Sequence, residues 1–126
     1  MLYSSILLID DDEDDQEIFV TALKEVDSAV VCQAEHSARE ALRKLENSQV
    51  AADVIFLDLN MPIMNGIQFL REVKKRESLK NIPVIILTTS SNSETIKETK
   101  ALGAVDFITK PNNFIELKKI LQSIIL

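Results

Sequence analysis

The chain has 126 residues, enough for one domain with a hydrophobic core and too few for two ordinary domains. Its apolar fraction of 46% and charged fraction of 27% are typical of a soluble globular protein. The net charge of −6 argues against a nucleic-acid surface, which needs clustered Lys and Arg, and no apolar run is long enough to cross a membrane. We therefore expect a single domain over residues 1–126, without a second domain and located in the cytoplasm.

Five short apolar runs predict the strands of a sheet. A run of this kind, bounded by polar residues, is typical of a strand buried on both faces. The run around Val30 and Val31 is the least apolar, so we expect it at an edge of the sheet. It also contains Cys32, the only cysteine, which we interpret as a buried apolar side chain. The predicted strands are approximately Ser5–Asp10, Ala29–Ala34, Asp53–Asp58, Pro83–Thr88 and Val105–Ile108.

Helix signals follow each of the first three strands. Ser37 and Glu40 match a capping box for the second helix, and Asn65-Gly66 precedes the third. Helices that alternate with strands predict an α/β fold, in which helices cover both faces of a parallel sheet. The first helix is predicted over Glu13–Val26, and its inward face is expected to comprise Ile18, Ala22, Leu23 and Val26.

The fourth helix carries few apolar side chains. Ser91 and Glu94 match a capping box before Ile96–Leu102, and Gly103 is a stop signal. Such a helix buries little surface, so its local stability is expected to be low. It is either an ordinary solvated helix or an element that shifts with the state of a nearby site. The last helix is expected to begin near Asn113 and Glu116, with an inward face made of Leu117, Ile120, Leu121, Ile124 and Ile125.

Polar residues suited to phosphoryl chemistry follow four of the strands. Asp10-Asp11, Asp58, Thr88 and Lys110 each come at or just after the end of an apolar run. The carboxyl ends of parallel strands lie at one edge of the sheet, where such folds carry their sites. We therefore expect three carboxylates, a hydroxyl and an ammonium to lie close together.

Three adjacent carboxylates favour a hard divalent cation. Like charges at short range either raise each other's pKa or recruit a cation, and Mg²⁺ prefers oxygen ligands. The single His36 and the single Cys32 are too few for a zinc site. The acidic residues Asp12–Asp15 are interpreted differently, as a negatively charged helix start that the helix dipole favours.

Asp58 is the predicted nucleophile. Carboxylates form covalent aspartyl phosphates, and the transferring phosphoryl group spreads negative charge over its oxygens. The Lys110 ammonium and a metal ion are placed to neutralise that charge. The Thr88 hydroxyl is expected to donate a hydrogen bond to a phosphoryl oxygen.

Over nearly its whole length the chain resembles a bacterial two-component response-regulator receiver domain of the stand-alone, chemotaxis-regulator type. The resemblance implies a flavodoxin-like, doubly wound (βα)5 fold whose five-stranded parallel sheet has the order 2-1-3-4-5. The order and spacing of the motifs are more specific than any one of them. The matching pieces are Ile6–Asp11, Leu57–Pro62, Gly66, Pro83–Thr88 and Lys110-Pro111.

The resemblance also implies partners and a cofactor. Asp58 would accept a phosphoryl group from a phosphohistidine on a sensor histidine kinase or a histidine phosphotransfer protein. Mg²⁺ would be held by Asp10, Asp11 and Asp58 together with the backbone carbonyl of Asn60. No nucleic-acid or membrane partner is expected.

Further roles follow for residues of the last two strands. Thr88 and Phe107 match the family's switch pair, and Lys110 matches its phosphate-contacting lysine, followed by a cis peptide bond to Pro111. The switch is expected to alter the surface around the fourth helix and last strand, where an unidentified downstream protein or a second copy in a homodimer would bind. Thr89 occupies a position that is often Ala in the family, where a branched side chain would narrow access to the phosphoryl group.

The run from Thr88 to Ser91 resembles stand-alone receivers found beside bacterial phytochromes and hybrid kinases. Phe107 occupies a position that is often Tyr in the chemotaxis branch, and it has no hydroxyl to donate a hydrogen bond.

Three other functions are consistent with parts of the pattern. A haloacid-dehalogenase-like phosphatase needs a second Asp two residues after the nucleophile, where this chain has Asn60. A flavodoxin-like FMN binder needs a phosphate loop after the first strand, where acidic residues here would repel phosphate. A degenerate receiver that binds proteins independently of phosphorylation is the third, and the presence of Asp58, Thr88 and Lys110 argues against it.

Overall fold

The computed structural model describes residues 3–126 as alternating strands and helices. The predicted strands and helices are all present, and their bounds differ from the expected ones by a few residues at most. In chain order the elements are β1 (Ser5–Ile9), α1 (Glu13–Val26), β2 (Val31–Glu35), α2 (Ala38–Glu46), β3 (Val54–Leu57), α3 (Gly66–Lys75), β4 (Val84–Thr88), α4 (Ser93–Ala101), β5 (Asp106–Thr109) and α5 (Phe114–Ile125).

The five strands form one parallel sheet in the order β2-β1-β3-β4-β5. This order confirms the predicted flavodoxin-like (βα)5 fold, and β2 lies at an edge as expected. The strand order reverses between β1 and β3, which are neighbours at the centre of the sheet. Doubly wound sheets carry their sites beside such a reversal, at the carboxyl ends of the strands.

Alternate residues of the central strands face two separate hydrophobic layers. In β1, Leu7 and Ile9 pack with residues of α2 and α3, whereas Ile6 and Leu8 pack with residues of α1 and α5. This alternation follows from the period of two along a strand. All of β3 is buried, so the segment that leads to Asp58 is held on both faces.

The inward face of α1 differs from the prediction at one position. Phe19 is buried, and its ring meets that of Phe56 edge-on at 5.1 Å, whereas Ile18 is 46% exposed. Phe19 lies three and four residues before the buried pair Ala22 and Leu23, so it belongs to the same stripe of the helix. The prediction that Ile18 faces the core is therefore wrong.

The helix caps correct two further predictions. Asn92, and not Ser91, caps α4, because its side-chain oxygen accepts hydrogen bonds from the backbone N–H groups of Glu94 and Thr95. At α2 only half of the capping box forms: Ser37 accepts from the backbone of Glu40, but the Glu40 side chain turns to Arg43.

Two local expectations near the sheet edges also change. The peptide bond between Lys110 and Pro111 is trans, so the expected cis bond is wrong; trans is the lower-energy form of an X–Pro bond by about 0.5–1 kcal/mol. Cys32 is only half-buried on the edge strand, and this partial burial still raises the pKa of its thiol to about 11. No described helix meets the length and apolarity that a membrane span requires.

Candidate functional site at the carboxyl ends of the strands

Three aspartates meet at the edge of the sheet. Asp10 directly follows β1 and Asp58 directly follows β3, and they are 2% and 6% exposed. Asp11 is exposed beside them. One carboxylate oxygen from each of the three lies within 4.8 Å of the others. The strand-end pattern had predicted this grouping.

Lys110 reaches the same place from the end of β5. Its Nζ lies 2.7 Å from Asp10 Oδ2 and 2.8 Å from Asp15 Oδ2, and 3.7 Å from Asp58 Oδ2. Asp15 was assigned to the acidic helix start, and nothing in the sequence separates it from its acidic neighbours. Its contact with Lys110 depends on how the segment after β5 packs against α1.

Burial and ion pairing shift the pKa values of Asp10 and Lys110 in opposite directions. Burial raises the pKa of Asp10, although its hydrogen bond from Lys110 works against that rise. Burial lowers the pKa of Lys110, but hydrogen bonds to Asp10 and Asp15 outweigh it and leave the pKa above its ordinary value. Lys110 is therefore charged at neutral pH, and a cation beside the buried Asp10 carboxyl would oppose the rise in its pKa.

The turn after Asp58 is held closely by the start of α3. The Gly66 N–H donates to the carbonyl oxygen of Leu59 at 3.1 Å. A Cβ on Gly66 would lie 2.4 Å from the carbonyl oxygen of Asp58 and 2.7 Å from Leu59 Cα. Glycine is required here because the helix and the turn approach each other at backbone distance.

Asn60 connects this turn to the end of β4. Its side-chain amide donates to Thr88 Oγ1 at 3.4 Å and to Ser90 Oγ at 3.3 Å. Thr88 is fully buried, and its carbonyl accepts from the backbone N–H of Lys110 at 2.8 Å. The sequence predicted Asn60 only for its carbonyl, so the side-chain role of Asn60 and the participation of Ser90 are additional findings.

Thr88 and Phe107 lie on the same face of the sheet. Phe107 pairs with Ile86 in the β4–β5 register, and Thr88 follows Ile86 by two residues. Phe107 is half-buried against the layer formed by α2 and α3. It also lines a cavity of about 240 Å³ between α4 and β5, which Ile96 and Thr99 of α4 border.

A second cavity opens beside the charged residues. It has a volume of about 290 Å³, and Asp10, Asp15 and Lys110 line it together with Phe114 of α5. Thr89 lies at this cavity and is exposed. Thr89 therefore lies near Asp10 and Lys110, and a narrowing of access to the phosphoryl group by its side chain stays a prediction.

These features define a flavodoxin-like domain with an acidic cluster, a lysine and a threonine at the ends of its parallel strands. A family model described as the response regulator receiver domain matches residues 6–122. The chain belongs to this family.

Among curated relatives, response regulator Rcp1 of Synechocystis sp. is 33% identical over 125 residues, which cover 94% of this chain and 84% of Rcp1. A protein-glutamate methylesterase/protein-glutamine glutaminase of Treponema denticola is 51% identical over 78 residues. Those residues cover 60% of this chain but only 20% of the methylesterase, so the match is to a small part of that protein.

Solved structures agree with this assignment. The phosphorylated cyanobacterial phytochrome response regulator RcpA superposes with a TM-score of 0.88 at 30% identity, covering 97% of this chain and 91% of that one. The Mn²⁺-bound form of Rcp1 superposes with a TM-score of 0.82 at 28% identity, covering 96% and 91%. RcpA is a phytochrome response regulator, the kind of relative that the run from Thr88 to Ser91 suggested.

Proposed function

We propose that this protein is a two-component response regulator that accepts a phosphoryl group on Asp58. The observation that carries the proposal is the setting of Asp58. It is a nearly buried carboxylate at the end of the central strand β3, with Asp10 and Asp11 on one side and the Lys110 ammonium 3.7 Å away. The protein would act as a signalling phosphoacceptor, and its donor would be the phosphohistidine of a sensor histidine kinase or of a histidine phosphotransfer protein.

The chemistry follows from these side chains. A carboxylate oxygen of Asp58 attacks phosphorus, the new O–P bond forms as the P–N bond to the donor imidazole breaks, and the electron pair leaves with the imidazole nitrogen. Negative charge on the phosphoryl oxygens is stabilised by the Lys110 ammonium and by the Thr88 hydroxyl. Because Asp58 is held on both faces of the sheet and by the turn at Gly66, catalysis is mostly a matter of position.

The donor set at the site fits Mg²⁺. Asp10, Asp11 and Asp58 supply hard carboxylate oxygens within reach of one ion, and the backbone carbonyl of Asn60 would complete the protein ligands. When bound, Mg²⁺ would supply positive charge that screens the carboxylates and the incoming phosphoryl group. The Mn²⁺-bound form of the related Rcp1 supports a divalent ion in this family.

The output would be a change of surface around α4 and β5. Movement of the Thr88 hydroxyl toward a phosphoryl group would break its contact with the Asn60 amide and leave space on the face that it shares with Phe107. The neighbouring helix α4 buries only Thr99 and borders the cavity at Phe107, so it is the element most easily displaced. A downstream protein or a second copy of the chain would recognise this surface, in the cytoplasm.

Intact-mass measurement tests the assignment directly. After incubation with acetyl phosphate and Mg²⁺, the wild-type protein should gain one phosphoryl group, and Asp58→Asn should gain none. Asp14→Asn is the matched control, because it removes an exposed carboxylate from the first turn of α1 without touching the site. A full adduct on Asp58→Asn would refute the assignment, and so would the absence of an adduct on the wild type with every donor tried.

A further inference from the structure

An ion pair between distant parts of the chain brings Asp15 into the site. Asp15 lies in the first turn of α1, and its Oδ2 accepts a hydrogen bond from Lys110 Nζ at 2.8 Å, across 95 residues of sequence. The Lys110 side chain is only 15% exposed and that of Asp15 is 39% exposed. The Lys110 end of this ion pair is thus largely shielded from water. The position of the Lys110 ammonium matters because it lies beside Asp58.

The contact is specific to one carboxylate of an acidic turn. Glu13 and Asp14 are also in the first turn of α1, and within the described part of the chain neither forms an ion pair. All three share the favourable interaction of a negative charge with the helix N-terminus. What distinguishes Asp15 is its hydrogen bond to Lys110.

The geometry of the ammonium shows what this bond does. A lysine has three N–H donors, and Asp10 and Asp15 accept two of them. Asp58 Oδ2, at 3.7 Å, is too far to accept the third. A phosphoryl oxygen attached to Asp58 would extend toward Lys110 and meet that remaining donor.

Asp15 differs from Asp10 in one further respect. Asp10 belongs to the three carboxylates that can surround a metal ion, and Asp15 does not. A cation bound to the Asp10 carboxylate would weaken the attraction between Asp10 and Lys110. The same cation would also repel the Lys110 ammonium. Asp15 is the partner of Lys110 that stays free of this competition.

We propose that Asp15 is a positioning residue that keeps the Lys110 ammonium beside Asp58 for the phosphoryl group. The proposal rests on the proposed function, because it concerns the lysine that would contact the phosphoryl group. The opposite effect, in which Asp15 holds Lys110 back from the phosphoryl group, predicts the opposite sign in the same experiment.

Beryllofluoride, which stands in for the phosphoryl group, is the probe. Its affinity in saturating Mg²⁺ is measured by NMR titration of backbone amides for the wild type, Asp15→Asn and Asp14→Asn. We expect Asp15→Asn to weaken binding about fivefold, in line with one partly buried ion pair, and Asp14→Asn to change it less than about twofold. The Lys110 amino resonance, followed without metal or beryllofluoride, should shift in Asp15→Asn and not in Asp14→Asn.

A double-mutant cycle isolates the pair. On a Lys110→Met background, Asp15→Asn should have no further effect on beryllofluoride affinity. Equal affinities for Asp15→Asn and Asp14→Asn, or tighter binding by Asp15→Asn, would overturn the proposal while the wild type still binds. Failure of the wild type to bind beryllofluoride would instead refute the proposed function, and this inference with it.

Discussion

Replacing Gly66 by Ala should damage both the stability and the phosphorylation of this protein. The added Cβ would lie 2.4 Å from the carbonyl oxygen of Asp58. An ordinary carbon–oxygen contact is about 3.3–3.6 Å, so one backbone segment must move by about 1 Å. Both atoms nearest to the Cβ, the Asp58 oxygen and Leu59 Cα, belong to the main chain, and neither can rotate away as a flexible side chain would.

The expected cost combines two opposing effects. Overpacking of this kind typically costs about 1–3 kcal/mol, whereas alanine gains up to about 1 kcal/mol over glycine in a helix. We expect a net loss of about 2 kcal/mol in the free energy of unfolding, which lowers Tm by about 6–10 °C for a chain of this size. Displacing Asp58 by about 1 Å from Lys110 should also slow phosphorylation by about tenfold or more.

The control is the other glycine of the chain. Gly103 has a φ of +103°, and its Cβ would meet only the flexible end of Lys74, at 3.2 Å. Gly103→Ala should therefore lose about 1–2 kcal/mol through backbone strain alone. Its rate of phosphorylation should stay within about twofold of the wild type, since the change is remote from Asp58.

Urea unfolding and intact-mass kinetics with acetyl phosphate measure the two effects separately. If Gly66→Ala unfolds within about 0.5 kcal/mol of the wild type and is phosphorylated at the same rate, the close approach of α3 to the turn does not hold Asp58 in place. Loss of phosphorylation in Gly103→Ala equal to that in Gly66→Ala would show that low stability, and not displacement of Asp58, is the cause.

Two further predictions concern the loop after Asp58 and the switch. Ile63 is 83% exposed and has a φ of +68°, a backbone conformation that costs a β-branched residue about 1–2 kcal/mol. Ile63→Asn should therefore raise the free energy of unfolding by about 1 kcal/mol. An unchanged urea midpoint would mean that the backbone at Ile63 is unstrained. Beryllofluoride with Mg²⁺ should shift amide resonances from Thr88 to Phe107 in the wild type and in Thr88→Ser, which keeps the hydroxyl, and much less in Thr88→Ala. If Thr88→Ala shows shifts as large as those of the wild type, the Thr88 hydroxyl takes no part in the switch.

Much of the site was predictable because its residues sit where strands end. An apolar run marks a buried strand, and the polar residue that follows it must lie at the carboxyl edge of a parallel sheet. Asp10, Asp58 and Thr88 occupy such places, so their grouping required no knowledge of distant contacts. Asn113 was likewise predictable as the start of α5, because a helix cap is formed by residues close in sequence.

Where neighbouring residues fit the same local pattern, only tertiary packing decides which of them faces the core or forms a contact. Ile18 and Phe19 both fit an amphipathic stripe, and the ring of Phe56 from the sheet decides for Phe19. Asp15 is one of several acidic residues at a helix start, and only the position of Lys110 after β5 shows that Asp15 is the one that pairs with it. Local sequence determines which residues end strands and cap helices, whereas only the tertiary structure decides partners, because contacts across 95 residues depend on how separate elements pack.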